Sequence, residues 1–313
     1  MHFKLLDVQA LASLLLPKAL TLELPEYAAL KTSQIDGILE ITLHNPASAI
    51  NVWSQDTQSG MADIVSRLQS DNEIKVVIFK SDVPRFFCNH LDPTIFLVEN
   101  AIENFGVLMY NISNLPQVTI GAVEGRARNA GNELLMALDI RFAVEHDVLL
   151  GQIETGLGGF PGGGGCQHLP RLIGRALAME YILSATEITP REAEKIGWIN
   201  KAFDSSEEMY AYIDKLTSRL NLFSRAALGA SKTAINLRSK PPLEDFLHDI
   251  ALFNTLASNP DFPKIFDRVL ALTNNLALGE VELNFGRDVV HLYDEVANRS
   301  VPVPDSTDNY REL

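Results

Sequence analysis

Cysteine is scarce in this sequence, which has two cysteines, Cys88 and Cys166, among 313 residues. Two thiols cannot build a disulfide framework, and their spacing is not that of a metal site. We therefore interpret both as free thiols in a reducing compartment and predict no bound metal. A long apolar run is also lacking, because polar residues interrupt the N-terminal stretch 1–20, which is too short to span a bilayer.

Basic residues are outnumbered, since 26 Lys and Arg face 40 Asp and Glu and give a formal charge of −14. Such an acidic surface argues against nucleic acid and anionic membranes as partners, and an anionic substrate would need a local basic patch. The N-terminus lacks a secretory leader pattern, and the C-terminal Arg-Glu-Leu is not an SKL-type address. We expect a cytoplasmic location, with a mitochondrial or peroxisomal one left open.

Strand and helix patterns alternate through the first 155 residues, and helical patterns dominate afterwards. The apolar runs KVVIFK (75–80) and QVTIGAVEG (117–125) are typical of strands that are buried on both faces. A further strand is predicted over 148–154. A capping box is predicted at Thr189 and Glu192. Amphipathic periodicity predicts helices over 55–68, 93–113, 205–219, 224–237 and 243–257.

Four consecutive glycines occur in FPGGGGCQHLPRLIG, residues 160–174. No lysine follows them, so they are not a P-loop, and the residues between the preceding strand and the glycines break a dinucleotide-binding fingerprint. We favour a connector whose bare backbone packs closely before a helix at 167–172. The alternative is that the glycines keep side chains out of an active-site pocket.

Two acidic residues, Glu133 and Glu154, stand next to glycine-bearing loops in otherwise apolar sequence. A single acid of this kind is explained by a favourable position near a helix N-terminus. Two such acids, each predicted at the carboxyl end of a strand, instead indicate a ligand site. A pair of carboxylates in an apolar pocket can hold a water molecule and divide acid and base roles.

Six stretches occur in the order in which the crotonase (enoyl-CoA hydratase/isomerase) superfamily has its motifs, and the resemblance covers roughly residues 32–240. They are HNPASAIN, FFCNHLD, AVEGRARNAGNELLMALDIRFA, LLGQIETGLGGFPGGGGCQHLPRLIG, ATEITPREAEKIGWINKAF and SKTAINL. The resemblance implies an α/β fold, a spiral of ββα units with a C-terminal helical region that drives trimer formation. We therefore expect an N-terminal arm or helix (1–30), a spiral core (31–200), a C-terminal helical region (201–313), and a homotrimer or a dimer of trimers.

The resemblance also implies roles for individual residues. An enolate would be held in an oxyanion hole by the backbone N–H groups of Asn89 and Ala130. Glu133 and Glu154 match the two catalytic glutamates of the hydratases, and the presence of both favours addition of water to an α,β-unsaturated acyl thioester. No cofactor is expected to bind tightly, and coenzyme A would enter only as part of the substrate. The expected substrate-binding residues are His90, Asp92, Gly131, Phe160 and Gly162.

Departures from the family pattern keep other functions open. His90 replaces a glycine beside the expected oxyanion hole, where it either points outward or serves as a substrate-specific donor or proton carrier. The loop HNPASAIN lacks the base that many relatives use for the nucleotide phosphates, although Lys232 and Arg225 could supply charge. The alternatives are therefore an isomerase or C–C bond hydrolase or lyase acting on a non-CoA or specialised metabolite, and a non-catalytic assembly partner.

Overall fold

The computed structural model describes residues 22–294 of the chain. Most of the expected N-terminal arm lies outside this range, and residues 22–29 contain neither helix nor strand. The proline-rich tail of the sequence also lies outside it. Within the described range the strands are β1 Leu30–Ile35, β2 Ile38–Leu43, β3 Val76–Ser81, β4 Phe86–Cys88, β5 Val118–Val123, β6 Arg126–Arg128, β7 Ile140–Val144, β8 Leu150–Gly151 and β9 Lys201–Phe203.

Helices follow most strand pairs and then dominate the second half of the chain. Three short 3₁₀ turns complete the described structure, at Pro93–Leu97, Glu154–Leu157 and Val289–Tyr293. The α-helices are α1 Gln55–Ser70, α2 Ala101–Ser113, α3 Ala130–Ala137, α4 Gly165–Ile173, α5 Arg175–Ser184, α6 Pro190–Ile196, α7 Ser206–Asn221, α8 Arg225–Ser239, α9 Leu243–Ala257, α10 Phe262–Leu272, α11 Glu280–Leu283 and α12 Phe285–Asp288.

The strands form two sheets, and from β3 onward successive strands of the chain alternate between them. The larger has the order β1-β2-β3-β5-β7-β9, with β1 and β2 antiparallel and the other neighbours parallel. The smaller is parallel, with the order β4-β6-β8. After the first unit, whose strands β1 and β2 both belong to the larger sheet, a unit places one strand in each sheet before its helix, as in β3-β4-α2 and β5-β6-α3. The predicted α/β spiral of ββα units is confirmed.

Local sequence explains most of these elements. The β-branched and aromatic residues 76–79 of β3 are buried, as expected for an interior parallel strand. Helix α6 begins with the predicted capping box, in which the Thr189 side chain accepts the N–H of Glu192 and the Glu192 carboxylate accepts the N–H of Thr189. The helices predicted over 55–68, 205–219, 224–237 and 243–257 are all present with small shifts of their ends.

Three sequence predictions are wrong in detail. The helix predicted over 93–113 is broken, because Asn100 adopts a left-handed conformation (φ 57°) between a 3₁₀ turn and α2. The strand predicted over 148–154 is limited to Leu150–Gly151, and Glu154 begins a 3₁₀ turn rather than ending a strand. The large sheet also continues past residue 200, because β9 pairs with β7.

The C-terminal helices fold back onto the spiral. Phe285, Val289 and Leu292 form a buried apolar cluster with Ile153 and Ala185, among others. Ile153 directly precedes Glu154, so this cluster attaches the last described helices to the segment that carries one of the two acids. The structure places part of residues 241–294 against the candidate site.

Candidate active site

An apolar cavity of about 100 Å³ lies between α3, the glycine-rich segment and the C-terminal helices. The polar side chains on its wall are those of His90, Asn129, Glu133 and Glu154. Phe96, Phe160 and the C-terminal helices all contribute to the wall. The apolar wall consists of Leu91, Phe96, Ile102, Phe105, Leu157, Phe160, Phe253, Phe262, Phe266, Val269 and Leu276.

Glu133 lies in the first turn of α3, and only 4% of its surface is exposed. Its Oε1 atom accepts hydrogen bonds from the backbone N–H groups of Gly163 (2.7 Å) and Gly165 (3.0 Å). Burial raises the pKa of Glu133 to about 8, although these two hydrogen bonds oppose the shift. A carboxyl with such a pKa keeps its proton at neutral pH and can act as an acid.

The glycine run is the partner of this carboxyl group. A Cβ atom on Gly163 would lie 2.3 Å from the Phe105 ring and 2.7 Å from the Glu133 carboxylate. Gly164 has a φ of +105°, and a Cβ there would lie 2.3 Å from the Phe246 ring. Both glycines are therefore required by space, and Gly164 also by backbone conformation. The run brings N–H groups to an acid and leaves the cavity open.

Glu154 faces the same cavity from the 3₁₀ turn that follows β8. Its Oε1 accepts a hydrogen bond from Gln152 Nε2 (2.9 Å), and its buried Oε2 has no partner among the described residues. Burial and then the charge of Glu133 raise the pKa of Glu154 well above its ordinary value. Oε2 is thus a buried acceptor that is available to water or substrate.

A chain of hydrogen bonds between buried side chains leads to Glu154 and orients its carboxyl group. The indole N–H of Trp198 donates to Asn132 Oδ1 (3.2 Å), and Asn132 Nδ2 donates to Gln152 Oε1 (2.6 Å). The Gln152 side chain then donates to Glu154, as described above. Sequence reasoning missed these three residues, because their only signal is a polar side chain in apolar sequence.

The two expected oxyanion donors differ in their surroundings. Ala130 lines the cavity at the first position of α3, and its N–H has no acceptor within residues 22–294. The N–H of Asn89 instead donates to the Asn51 carbonyl (3.1 Å), and Asn89 is not on the cavity wall. The next residue, His90, is on the wall, and its backbone N–H has no acceptor in the described part of the chain.

His90 points inward. Its imidazole is buried, lines the cavity and packs edge-on against the Phe285 ring, with the centroids 5.1 Å apart. Its Nε2 lies 3.1 Å from Oε2 of Glu282, a fully buried carboxylate in α11. No sequence motif marked Glu282, and only the tertiary fold brings it beside His90.

The remaining expected substrate residues divide into two groups. Phe160 and Gly162 line the cavity, where they can contact a substrate. Asp92 is not on the wall, because its carboxylate caps the 3₁₀ turn by accepting the N–H (2.8 Å) and hydroxyl (2.6 Å) of Thr94. Gly131 is also not on the wall, and a Cβ there would lie 2.0 Å from the Cys88 carbonyl oxygen. Gly131 thus allows α3 to pack closely on β4.

The bases proposed for the nucleotide phosphates are absent from this cavity. Lys232 donates to the Asp139 carboxylate (2.6 Å) and the Gln117 carbonyl (2.7 Å), and its side chain is only 10% exposed. Arg225 donates to the Asn72 side chain (2.6 Å). Both line a different surface groove. Within residues 22–294 no cluster of His, Cys, Asp and Glu could hold a metal ion, and no helix is long and apolar enough to cross a membrane.

Comparison with known proteins gives consistent matches. The family model for enoyl-CoA hydratase/isomerase matches residues 33–265. The mitochondrial methylglutaconyl-CoA hydratase of Rattus norvegicus is 34% identical over 205 residues, which cover 61% of this chain and 64% of the rat protein. The chain thus spans less than two thirds of that relative. The short-chain-enoyl-CoA hydratase of Clostridium acetobutylicum is 32% identical over 207 residues, covering 64% of this chain and 78% of its own.

Solved structures agree in fold. A crystal structure of a Streptomyces avermitilis protein of the enoyl-CoA hydratase type superimposes with a TM-score of 0.80 and 30% identity. The match covers 85% of this chain and 98% of that protein.

Proposed function

Because the chain belongs to the enoyl-CoA hydratase/isomerase family, we propose that it adds water across the double bond of an α,β-unsaturated acyl-CoA. The observation that carries this proposal is the presence of two buried acids, Glu133 and Glu154, on the wall of one apolar cavity. The rat and Clostridium relatives, which are named as hydratases, support it.

The two acids divide the proton transfers. The charge of Glu133 raises the pKa of Glu154, so the pair resists double ionisation and retains a proton. One carboxylate takes a proton from water as its oxygen attacks C3, and the other carboxyl delivers a proton to C2. Both pKa values are raised and both carboxyl groups face the cavity, so either acid can take either role, and the unpartnered Oε2 of Glu154 is an atom that water can contact.

An enolate forms between these steps and needs hydrogen-bond donors at the thioester oxygen. The Ala130 N–H, at the start of α3, is one donor without an acceptor. The second is the backbone N–H of His90 or of Leu91, because both residues line the cavity and neither N–H has an acceptor within residues 22–294, whereas the Asn89 N–H is already bonded. Donors in a dry cavity stabilise such a charge more than water does.

We also propose that the protein assembles as a homotrimer or a dimer of trimers. Helix α8 has no buried residue in the single chain, and it exposes Ile235 (70%) and Leu237 (76%). An exposed apolar face of this kind suits a subunit contact. Light scattering during gel filtration would test this, and a monomeric mass at micromolar concentration would contradict it.

The test of hydration replaces each acid with its amide. We expect Glu133→Gln and Glu154→Gln each to lower kcat for but-2-enoyl-CoA by about 10²-fold or more, because each removes a proton-transfer group. The exposed Glu180 of α5 provides the control, and Glu180→Gln should leave kcat unchanged. Wild-type rates in both site variants would disprove the proposal.

A second candidate is an isomerase or a C–C bond hydrolase or lyase acting on a non-CoA metabolite. It is favoured by an imidazole on the cavity wall together with the lack of a basic lining residue in the described structure. Calorimetry separates the two candidates, because micromolar affinity for coenzyme A would count against this second one.

A further inference from the structure

His90 stands between the cavity and a carboxylate that does not reach the cavity. The imidazole forms part of the wall, whereas Glu282 lies behind it with no exposed surface. Their atoms Nε2 and Oε2 are 3.1 Å apart. A carboxylate that holds one nitrogen of an imidazole fixes the ring and leaves the other nitrogen for a substrate.

Glu282 is itself held firmly in place. Its Oε2 accepts a second hydrogen bond from Asn89 Nδ2 (2.9 Å), and its carbonyl accepts one from the buried Arg128. Burial alone would raise the pKa of Glu282, but attraction to His90 and Arg128, together with its hydrogen bonds, lowers it below the ordinary value. The carboxylate is therefore ionised and supplies a fixed negative charge behind the imidazole.

The second nitrogen of His90 is weakly engaged. Nδ1 lies 3.4 Å from the side-chain nitrogen of Asn129, which also lines the cavity. This distance is beyond the usual range of a protein hydrogen bond. An amide nitrogen can only donate, so Nδ1 faces Asn129 as an acceptor, and donation from Nδ1 to a ligand requires the Asn129 side chain to move away while Glu282 and the Phe285 ring keep the imidazole in place.

We propose that the His90 imidazole donates a hydrogen bond from Nδ1 to the enolate oxygen, and that Glu282 positions the ring and balances its charge. This rests on the proposed function, because it assigns a third donor to the same intermediate. In this arrangement one ring N–H is directed to Glu282 and the other to the substrate oxygen. No bond to His90 forms or breaks, since its proton stays on Nδ1.

Kinetics of four variants test the proposal. His90→Ala keeps the backbone N–H and removes the imidazole, and we expect kcat to fall about 10²- to 10³-fold, as for loss of one oxyanion donor. Glu282→Gln should lower kcat about 10-fold with KM changed less than two-fold. In the double variant, Glu282→Gln should add nothing to His90→Ala, because it acts only through the ring.

Val289→Ala is the matched control for loosened packing. Val289 lies in the same C-terminal cluster as Phe285 and is not on the cavity wall. It should lower the melting temperature and leave kcat unchanged. Circular dichroism of every variant verifies that a loss of rate is not a loss of fold.

A second measurement does not require hydration. Acetoacetyl-CoA is acidic between its carbonyls, and its bound enolate is detected by near-ultraviolet absorbance. We expect an enolate band with the wild-type protein, and retained binding without the band in His90→Ala. An equal band in both, no band with the wild type, or an unchanged kcat in His90→Ala would overturn the proposal. A His90-dependent band in a protein that hydrates no enoyl-CoA would instead disprove hydration and keep the donor role.

Discussion

The carboxyl group of Glu133 accepts a 2.7 Å hydrogen bond from the backbone N–H of Gly163. Glu133 lies in the first turn of a helix of the spiral core, and Gly163 belongs to the glycine run, 30 positions later in the chain. This contact explains the glycine run, because only a backbone without side chains fits against Glu133 and can direct its N–H groups to the carboxyl group.

We predict that Gly163→Ala impairs catalysis by displacing Glu133. The new methyl group would lie 2.3 Å from the Phe105 ring and 2.7 Å from the carboxylate, so one of them must move. Overpacking of this kind costs about 1–3 kcal/mol, and kcat should fall at least 10-fold. Denaturation curves and initial rates measure the two effects.

Gly229→Ala is the control for this substitution. Gly229 lies inside α8, and the nearest atom to an added Cβ is 4.0 Å away. Alanine there should raise stability by about 0.5–1 kcal/mol and leave kcat unchanged. Equal losses of rate in both variants would show that Gly163 has no special place beside Glu133.

Glu133 should also make stability depend on pH between about 6.5 and 8. The folded pKa is raised to about 8 from an ordinary 4.5, so in this interval the folded state binds the proton and the unfolded state does not. Glu133 alone must then lower the free energy of unfolding as pH rises, by at most about 1.4 kcal/mol per pH unit. Urea titrations at several pH values measure this slope.

Glu133→Gln is the comparison, because the amide keeps an acceptor for the two glycine N–H groups and cannot titrate. Its free energy of unfolding should fall less steeply with pH over the same interval. His168, whose buried ring has a pKa lowered to about 3, affects stability only below its ordinary value of 6.5 and does not interfere. Parallel slopes for the two proteins would contradict the raised pKa.

We predict a preference for acyl groups without charge. The described wall of the cavity is mostly apolar and includes no lysine or arginine, so an acyl chain ending in a carboxylate would bury that charge without a lysine or arginine to pair with it. Hex-2-enoyl-CoA should exceed methylglutaconyl-CoA, whose acyl group also has six carbons, by at least about 10-fold in kcat/KM. Equal values would indicate a cation at the acyl end that the described cavity lacks.

Gln152 should matter through its effect on Glu154. Gln152→Leu removes the 2.9 Å hydrogen bond to Oε1 and leaves Asn132 without its acceptor, so we expect kcat to fall about 10-fold and stability by about 1–3 kcal/mol. Trp198→Phe interrupts the same chain two steps further away and should have a smaller effect on kcat. A larger loss in Trp198→Phe would contradict this order.

The sequence was sufficient to predict the spiral, the shared cavity of Glu133 and Glu154, and the place of Phe160 in its wall. These follow from apolar periodicity and from motifs that lie in one stretch each. Asp92 was placed wrongly, because a carboxylate before a proline serves equally well as a ligand or as a cap. Whether a side chain turns inward depends on neighbours that the local sequence does not name.

The role of Glu282 was not predictable for a different reason. Its partners Asn89 and His90 are 193 and 192 positions away, and no periodic pattern links residues so distant. The bonded state of the Asn89 N–H was equally hidden, because it depends on the approach of the loop at Asn51. Both features belong to packing between units rather than to any one unit.

The long separation between Glu282 and His90 also has a consequence for synthesis on the ribosome. Every strand of the described sheets is translated before α11, yet the imidazole on the cavity wall receives its carboxylate only from α11. During translation, the nascent chain therefore presents every strand of the described sheets before it presents the carboxylate that holds His90.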